Sequence, residues 1–305
     1  MSQTSPPGVW CVAYLLSRWY GIKWIHVSQD TFPENLKVLA EGKYELIFSI
    51  LERLNQFILN RAEKIFVIGE DMKQVFLRKG FPPLKIISTS NWTNLDLIKP
   101  LAKRNSFSQK NGLAEKFVIL YAGNFGRIYN FEDLFAVAGK FLSNPDVLFV
   151  LVGEGALKKK LQNEAEFREL HNVRFFPFEE RSKLPEVLAS ADISVILLGK
   201  GMEGLSMPSK IYSILASGRP IIACVEKQSD IAKIVLESNA GFVVSPGQPE
   251  AFERSIKNFF ENKELLQKAG QNARRFVEQK DFQSNALKDY ERVFREVLDG
   301  QTLLK

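Results

Sequence analysis

Cysteine and histidine are scarce in this 305-residue sequence, which has two of each: Cys11, Cys224, His26 and His171. Two cysteines cannot build a disulfide framework, and a chain of this length does not need one. So few soft ligands also leave no zinc site of the usual cysteine and histidine type. Because no Asp-x-Asp triplet occurs either, we expect a site that uses no metal and no cofactor.

Long apolar runs are missing as well. The most apolar early stretch, residues 8–20, contains Arg18 and is shorter than the ~20 residues that a membrane-spanning helix takes. The sequence shows no signal-peptide pattern, no low-complexity segment and no repeat of about 20–50 residues. We therefore expect a cytoplasmic protein. The stretch around Trp10 and Trp19 suits peripheral contact with the inner face of the cell membrane.

The composition is that of a globular protein, with 45% hydrophobic and 25% charged residues, which excludes a disordered or fibrous chain. Lysine and arginine number 41 against 35 acidic residues, and the net charge of +6 favours anionic partners such as nucleotide phosphates or anionic lipid. The 24 phenylalanines indicate phenylalanine-rich cores under amphipathic helices. Because no basic run carries interleaved aromatic residues, we expect no nucleic-acid partner.

The recurring unit along the chain is a β-branched or aromatic run, a glycine turn and an amphipathic helix, which predicts parallel α/β sheets. Before residue 95 the pattern gives three strands, at residues 22–27, 65–68 and 86–88, and a helix at 46–62. The predicted core face of that helix consists of Ile47, Ile50, Leu51, Leu54 and Ile58. Residues 91–112 lack periodicity and are interpreted as a connection between domains.

A second series gives six strands, enough for a complete doubly wound domain. The six strands are predicted at residues 117–122, 147–152, 173–175, 193–197, 221–224 and 242–244. Residues 249–298 are predicted to be helical throughout, with a break near Lys280 and Asp281.

A glycine turn follows the first strand of this second series. Gly123 and Gly126 frame a Gly-x-x-Gly turn before a helix, and Arg127 comes directly after it. Glycines let backbone N–H groups approach an anion, a helix N-terminus adds positive potential, and arginine can contact phosphate oxygens in bidentate fashion. The pattern predicts phosphate binding. The alternative is a tight turn with an incidental surface arginine.

A second loop, residues 203–209, leads through Pro208 into a helix that Gly218 ends. Lys210 lies in the first turn of this helix, where the helix dipole opposes a positive charge. A ligand phosphate nearby would offset that cost. The alternative is a solvated lysine.

Six segments, in order along essentially the whole chain, resemble the retaining, family-4 type glycosyltransferases of the GT-B fold, in particular bacterial sugar transferases of surface polysaccharide and exopolysaccharide assembly. They are residues 29–34 (QDTFPE), 61–68 (RAEKIFVI), 90–94 (SNWTN), 121–127 (YAGNFGR), 152–155 (VGEG) and 207–220 (MPSKIYSILASGRP). The resemblance implies two Rossmann-like doubly wound domains: an N-terminally short, incomplete acceptor-side domain at 1–95 and a nucleotide-sugar donor domain at 96–280. A helix at 281–305 would cross back to the first domain.

The same resemblance implies that a sugar is transferred from a UDP- or GDP-sugar, with retention, to a glycan or lipid-linked acceptor in cell-surface polysaccharide synthesis. Arg127 and Lys210 would act in catalysis by neutralising the leaving diphosphate. Asp30 would orient the acceptor or act as a base, with a capping or surface-turn role as the alternative. The implied donor-binding residues are Gly123, Asn124, Gly126, Glu154, Phe178, Ser206, Met207, Ser209 and Ser213.

Two positions depart from the family pattern, and both bear on donor affinity. Ser213 stands where many relatives carry a glutamate for the ribose hydroxyls, and a serine offers only an uncharged hydrogen bond. Residues 128–130 read Ile-Tyr-Asn, without the lysine that relatives carry shortly after the diphosphate arginine.

Two other functions stay open at this point. One is a non-catalytic donor-binding subunit or remnant that needs a partner chain to supply the missing N-terminal half; in that case Trp10, Val12, Leu15 and Leu16 would lose part of their cover. The other is a nucleotide-sugar 2-epimerase, which is disfavoured because no acid–base histidine cluster accompanies the glycine turn. We expect His26 in the core, since it lies inside a predicted strand, and His171 at the surface.

Overall fold

The computed structural model describes residues 1–4, 6, 8–40 and 44–299, and the chain divides into two compact units. Unit 1 comprises Met1–Asn91, Met202–Met207 and the C-terminal helix that begins at Phe282. Unit 2 comprises Trp92–Gly201 and Pro208–Asp281. The boundaries near residues 91 and 281 lie close to the predicted ones at 95 and 280, whereas nothing in the sequence indicated that the short segment Met202–Met207 belongs to unit 1.

Unit 1 contains a parallel sheet of four strands in the order β1-β2-β3-β4. Along the chain its elements are β1 (Ser2–Gln3), α1 (Val9–Tyr20), β2 (Ile25–Ser28), α2 (Glu34–Leu39), α3 (Glu45–Leu59), β3 (Lys64–Ile68), α4 (Glu70–Arg78) and β4 (Ile86–Thr89). The prediction of three strands was wrong because β1 has only two residues, both of them polar. β1 pairs with β2, so β2 is an inner strand of the sheet.

Unit 2 contains a sheet of six parallel strands in the order β10-β9-β8-β5-β6-β7, and all six were predicted. Its elements are α5 (Ser106–Lys110), β5 (Phe117–Ala122), α6 (Phe131–Lys140), β6 (Val147–Val152), α7 (Lys158–Phe167), β7 (Val173–Phe176), α8 (Leu184–Ala189), β8 (Ile193–Leu197), α9 (Lys210–Ala216), β9 (Ile221–Cys224), α10 (Asp230–Ser238), β10 (Gly241–Val244), α11 (Pro249–Glu261) and α12 (Lys263–Lys280). Helix α13 (Phe282–Asp299) follows and belongs to unit 1.

Helix α5 lies inside the stretch 91–112 that was interpreted as a connection. It forms because Asn105 and Ser108 make a capping box, in which each side chain accepts a hydrogen bond from the backbone N–H of the other. The helix has five residues, which is too short to produce a periodic pattern.

The helical region 249–298 is three helices rather than two. The predicted break is confirmed at Asp281, which adopts a left-handed conformation with φ 41°. A second break, which was not predicted, occurs at Asn262, whose side chain accepts a hydrogen bond from the backbone N–H of Leu265 and caps α12.

The strands of unit 2 are apolar along their whole length, because helices cover both faces of a doubly wound parallel sheet. All six residues of β6 are buried. The predicted phenylalanine-rich core is confirmed: Phe125, Phe131, Phe135 and Phe149 are all buried in one cluster.

The unit 1 sheet has cores on both faces, because successive residues of a strand point to opposite sides. In β3, Phe66 packs with Val293 and Tyr290 of α13, and the Phe66 and Tyr290 ring centroids are 4.3 Å apart. Ile65 and Val67 belong to a separate cluster that includes residues of α1, α3 and α4. Helix α13 therefore covers one face of this sheet.

His26 is a core residue, as predicted. It lies in β2, and its Nδ1 is 2.9 Å from the Ser2 Oγ of the neighbouring strand. Burial lowers the pKa of His26 to about 3, so this imidazole stays neutral across the physiological range. His171 is exposed, also as predicted.

The predicted core face of α3 was largely wrong. Ile58 is buried, but Ile47, Ile50 and Leu54 are 47–58% exposed, and the helix ends at Leu59. The buried Asn55 takes a core position because its amide donates a hydrogen bond to the Phe32 carbonyl (2.8 Å).

Of the four residues of α1 named above, Val12, Leu15 and Leu16 are exposed, whereas Trp10 is buried, which is contrary to the expectation for that residue. Helices α1 and α3 are neighbours, with the Tyr14 and Phe57 ring centroids 6.2 Å apart. Together they present an exposed apolar area that we call the α1–α3 surface. Its members are Val12, Leu15, Leu16, Trp19 and Tyr20 of α1 and Leu46, Ile47, Ile50, Leu54 and Phe57 of α3. No described helix is long and apolar enough to span a membrane.

Candidate anion-binding site

The strand order of unit 2 places a switch point between β5 and β8. From β5 the chain adds β6 and β7 on one side of the sheet, and then β8, β9 and β10 on the other. In open parallel sheets, ligands bind outside the carboxyl ends of the strands at such a point. The turn that begins with Gly123 follows β5, and the loop after β8 leads to Lys210 at the start of α9. The topology therefore brings both predicted motifs to one edge of the sheet.

The turn after β5 is shaped by the loop after β6. The Phe125 N–H donates a hydrogen bond to the Glu154 carbonyl (2.8 Å). A Cβ atom at Gly153 would lie 1.9 Å from the Gly123 carbonyl oxygen, so only glycine permits this approach of the two backbones. Gly153 of the VGEG segment thus has a structural role, which is to hold the turn in place.

Lys210 reaches into this turn with a buried ammonium group. A Cβ atom on Gly123 would lie 2.6 Å from the Lys210 Nζ, so the absence of a side chain at position 123 makes room for the lysine. Although part of the Lys210 residue is accessible to solvent, its Nζ is shielded and has no hydrogen-bond partner among the described residues. The Nζ lies 3.8 Å from the ring centroid of Tyr121 and 4.7 Å from that of Tyr129. Burial lowers the pKa of Lys210 to about 7.

A buried ammonium group that no carboxylate of the described ranges contacts indicates a place for an anion. Removing such an ion from water costs several kcal/mol, and contacts with aromatic rings return only about 2 kcal/mol. An anionic ligand would offset the remainder. Arg127, which is exposed, follows Gly126 in the same turn and supplies a second positive charge.

Ser213 lies three residues after Lys210 on α9, and therefore on the same side of the helix. Its Oγ is 3.1 Å from the Oγ1 of Thr93. Thr93 belongs to the SNWTN segment, which is thereby linked to α9. Ser209 precedes the helix as its N-cap residue and is exposed.

The other predicted donor-binding residues of unit 2 lie at the surface of the protein. Asn124 is exposed in the turn itself. Glu154 is exposed and forms an ion pair with Lys158 (2.5 Å). Phe178 is 55% exposed in the loop after β7, at the same carboxyl edge of the sheet. Their roles toward a nucleotide stay predictions.

The remaining predicted site residues belong to unit 1. Asp30 follows β2 and forms an isolated antiparallel bridge with Ser206. The Thr31 N–H donates a hydrogen bond to the Leu205 carbonyl (2.8 Å) beside this bridge. Met207 packs on the cluster that lies under α1 and α3. The structure thus places Asp30 beside Ser206, and the predicted donor-sugar contacts of Ser206 and Met207 stay predictions.

Sequence analysis assigned no role to Tyr121, Tyr129 or Thr93. These residues lie far from α9 in the sequence and meet it only in the folded chain. Tyr121 and Tyr129, for example, are more than 80 positions from Lys210. The one available signal was the presence of a tyrosine on each side of the glycine turn. Within the described ranges, no group of three or more His, Cys, Asp or Glu residues could hold a metal ion.

Two sequence relatives and one structural neighbour illustrate which known proteins this chain resembles. The probable glycosyltransferase WbjE of Pseudomonas aeruginosa is 30% identical over 86% of this chain and 66% of its own length. WcaI of Escherichia coli strain K12, whose name assigns it to colanic acid biosynthesis, is 25% identical over 84% of this chain and 62% of its own length. The chain thus spans about two thirds of the length of these curated relatives.

Anabaena HepE, crystallised with UDP-glucose, superposes with a TM-score of 0.77 at 17% identity, over 93% of this chain and 76% of HepE. This likeness concerns the fold and confirms the predicted α/β architecture of GT-B type. The family described as "Glycosyl transferases group 1" matches residues 103–276, which is more than half of the sequence and includes both the Gly123 turn and Lys210. The chain therefore belongs to the group 1 glycosyl transferase family.

Proposed function

We propose that this chain binds a nucleotide-diphosphate sugar through unit 2. In this proposal it acts as a glycosyltransferase in bacterial cell-surface polysaccharide synthesis. The observation that carries the proposal is the shielded Lys210 ammonium group, which lies against the Gly123 turn and has no hydrogen-bond partner in the described part of the chain. The name of WcaI supports the pathway class, and the UDP-glucose held by HepE makes UDP the first nucleotide to test. A GDP-sugar is the alternative donor.

The proposed reaction transfers the sugar with retention. The bond between the anomeric carbon and a diphosphate oxygen breaks, and an acceptor hydroxyl oxygen bonds to the same face of that carbon. The proton of the hydroxyl passes to the departing diphosphate. Arg127 and Lys210 stabilise the negative charge that develops on the diphosphate, which preorganised charges do most effectively in a water-poor site. Asp30 orients the acceptor through another of its hydroxyl groups.

Isothermal titration of the protein with UDP tests the donor site. Arg127→Ala and Lys210→Ala should each weaken UDP binding or sugar transfer by about 10²-fold, the usual effect of losing one preorganised electrostatic contact. Lys268→Ala is the matched control, because Lys268 is an exposed lysine of α12 in the same unit. Equal binding by all four proteins would show that the donor site has been misplaced.

A sugar-transfer assay with a UDP-sugar, run beside the titration, tests the partner-dependent alternative. UDP binding without sugar transfer by the chain alone, followed by transfer once a partner chain is added, would favour the partner-dependent subunit. The 2-epimerase is not supported, because His26 is buried in the sheet of unit 1 and His171 is exposed beyond the end of α7.

We further propose that the α1–α3 surface rests on an anionic membrane that carries the lipid-linked acceptor. Trp19 is 84% exposed and Leu15 62% exposed, and tryptophan and tyrosine are enriched where protein meets a bilayer surface. Arg18 and Lys23 are exposed at the same end of α1, where they can contact anionic headgroups.

Sedimentation with vesicles of anionic phosphatidylglycerol, compared with vesicles of neutral phosphatidylcholine, tests the membrane proposal. We expect the protein to bind the anionic vesicles, and Trp19→Ser with Leu15→Gln to reduce that binding at least several-fold. Failure to bind, or a stable dimer that buries this surface, would contradict the proposal.

A further inference from the structure

Two tyrosine rings form a corner around the Lys210 ammonium group. The ring centroids of Tyr121 and Tyr129 are 5.9 Å apart, and their planes meet at 69°. Tyr121 is fully buried at the end of β5, and its hydroxyl donates a hydrogen bond to the Asn124 carbonyl (2.7 Å), which fixes the ring. The Lys210 Nζ lies within 5 Å of both ring centroids. The faces of the two aromatic rings therefore attract the Lys210 ammonium group electrostatically, but they do not provide it with oxygen or nitrogen hydrogen-bond acceptors.

The charged and titratable groups on the surrounding elements do not compensate the ammonium group. Those of β5, the turn after it and the loop after β6 are the phenols of Tyr121 and Tyr129, the Arg127 guanidinium and the Glu154 carboxylate. Helix α12 also packs on α9 and contributes Arg274, whose guanidinium donates to the Ala216 carbonyl at the other end of α9. Burial raises the pKa of Tyr121 well above its ordinary value, so its phenol stays neutral. Arg127 is itself positive, and Glu154 is paired with Lys158. Desolvation therefore governs the ionisation of Lys210 and favours the neutral amine.

We infer that donor capture at this site is proton-linked, with Tyr121 and Tyr129 as the positioning residues that hold the lysine in a water-poor corner until a diphosphate arrives. The inference rests on the proposed function and adds a regulation of that site. Because burial lowers the pKa of Lys210 to about 7, the ligand-free site loses the proton of this amine as the pH rises through the neutral range. A bound diphosphate favours the ammonium form, so binding takes up a proton from solution.

The sign of the linkage sets the expected pH dependence. Well below pH 7 the lysine is protonated before and after binding, and its contribution to affinity is constant. Above pH 7 the empty site loses its proton while the complex keeps it, so UDP affinity falls by up to tenfold per pH unit. The window from pH 7 to 8.5 is suitable, since the second ionisation of a terminal phosphate lies near ~6.

Titration calorimetry of the whole chain with UDP at pH 8, in buffers of different ionisation enthalpy, measures the proton count directly. We expect uptake of nearly one proton per UDP bound. Tight UDP binding with no proton uptake would overturn this inference and leave the proposed function intact. Absence of UDP binding at any pH from 6 to 8.5 would instead overturn the proposed function and the inference with it.

Variants distinguish a proton-linked lysine from a merely structural corner. Lys210→Arg keeps a permanent charge, so UDP binding should persist without proton uptake. Tyr129→Phe keeps the ring and should take up the proton as the wild type does. Tyr129→Leu removes one ring and admits water, so proton uptake at pH 8 should fall well below one. Equal proton counts for Tyr129→Phe and Tyr129→Leu would show that the ring does not position the amine.

Discussion

Replacing Lys210 by methionine should make the empty protein more stable, because it removes a charge that the fold shields from water. Burial moves the pKa of Lys210 from 10.5 to about 7. At ~1.36 kcal/mol per pKa unit, the charged lysine destabilises the fold by about 4–5 kcal/mol at pH 6.5. The methionine loses contacts with Tyr121 and Tyr129 that are worth about 1–2 kcal/mol. Desolvation is the larger effect, and a net gain of about 3 kcal/mol follows.

The gain should shrink as the pH rises. Because the pKa of Lys210 is lowered in the folded state, the unfolded chain binds more protons between pH 7 and 10.5, and the stability of the wild type rises with pH through this window. By pH 9 the folded lysine has lost its proton. The advantage of methionine over lysine should then be about 2–3 kcal/mol smaller than at pH 6.5.

Thermal unfolding of the wild type and Lys210→Met at pH 6.5 and pH 9 measures both effects. A gain of about 3 kcal/mol corresponds to a Tm increase of roughly 6–12 °C at pH 6.5 for a unit of this size. Lys268→Met, at an exposed lysine, is the control and should leave the Tm nearly unchanged. A variant that is no more stable than the wild type at pH 6.5, or whose gain is the same at pH 9, would refute the reasoning.

Three further predictions concern the same site. Gly153→Ala should destabilise unit 2 and abolish UDP binding, because the new Cβ would lie 1.9 Å from the Gly123 carbonyl oxygen; wild-type thermal unfolding and wild-type calorimetry would contradict this. Ser213→Glu should tighten UDP binding several-fold by offering a carboxylate to the ribose hydroxyls, although it gives up the contact with Thr93, and unchanged or weaker binding would argue against a ribose at α9. UDP binding should survive excess EDTA, and a loss that Mn²⁺ or Mg²⁺ restores would show that a metal takes part.

Unit 2 was predictable from the sequence because its strands are short apolar runs that end at glycine turns. The bounds of β5, β6, β8 and β9 agree with the predicted ones. Both faces of these strands are buried, so each strand is a continuous apolar run and does not alternate between polar and apolar residues. Family membership was predictable for a related reason. The motifs of unit 2 that indicate the family lie in loops at the carboxyl edge of its sheet, where local chemistry restricts each residue type.

Unit 1 was harder to predict because its helices are apolar on more than one side. In α3 the exposed Ile50 and the buried Ile58 are equally hydrophobic, so periodicity alone cannot tell which face packs on the sheet. The corner formed by Tyr121 and Tyr129 was missed for a different reason. It depends on contacts across the switch point of the sheet, and no local pattern in the sequence reports such contacts.

The position of α13 at the far end of the chain has a consequence for synthesis on the ribosome. Val293 of this helix is completely buried with Phe66 of β3, yet it is made ~200 residues after β4, which takes about 10–40 s at ordinary translation rates of ~5–20 residues per second. During that interval the ribosome synthesises all of unit 2, and one apolar face of the first sheet lacks the cover that α13 will provide. The nascent chain therefore completes the sequence of its second unit before that of its first, and Phe66 gains its cover from Val293 only after residue 293 has been made.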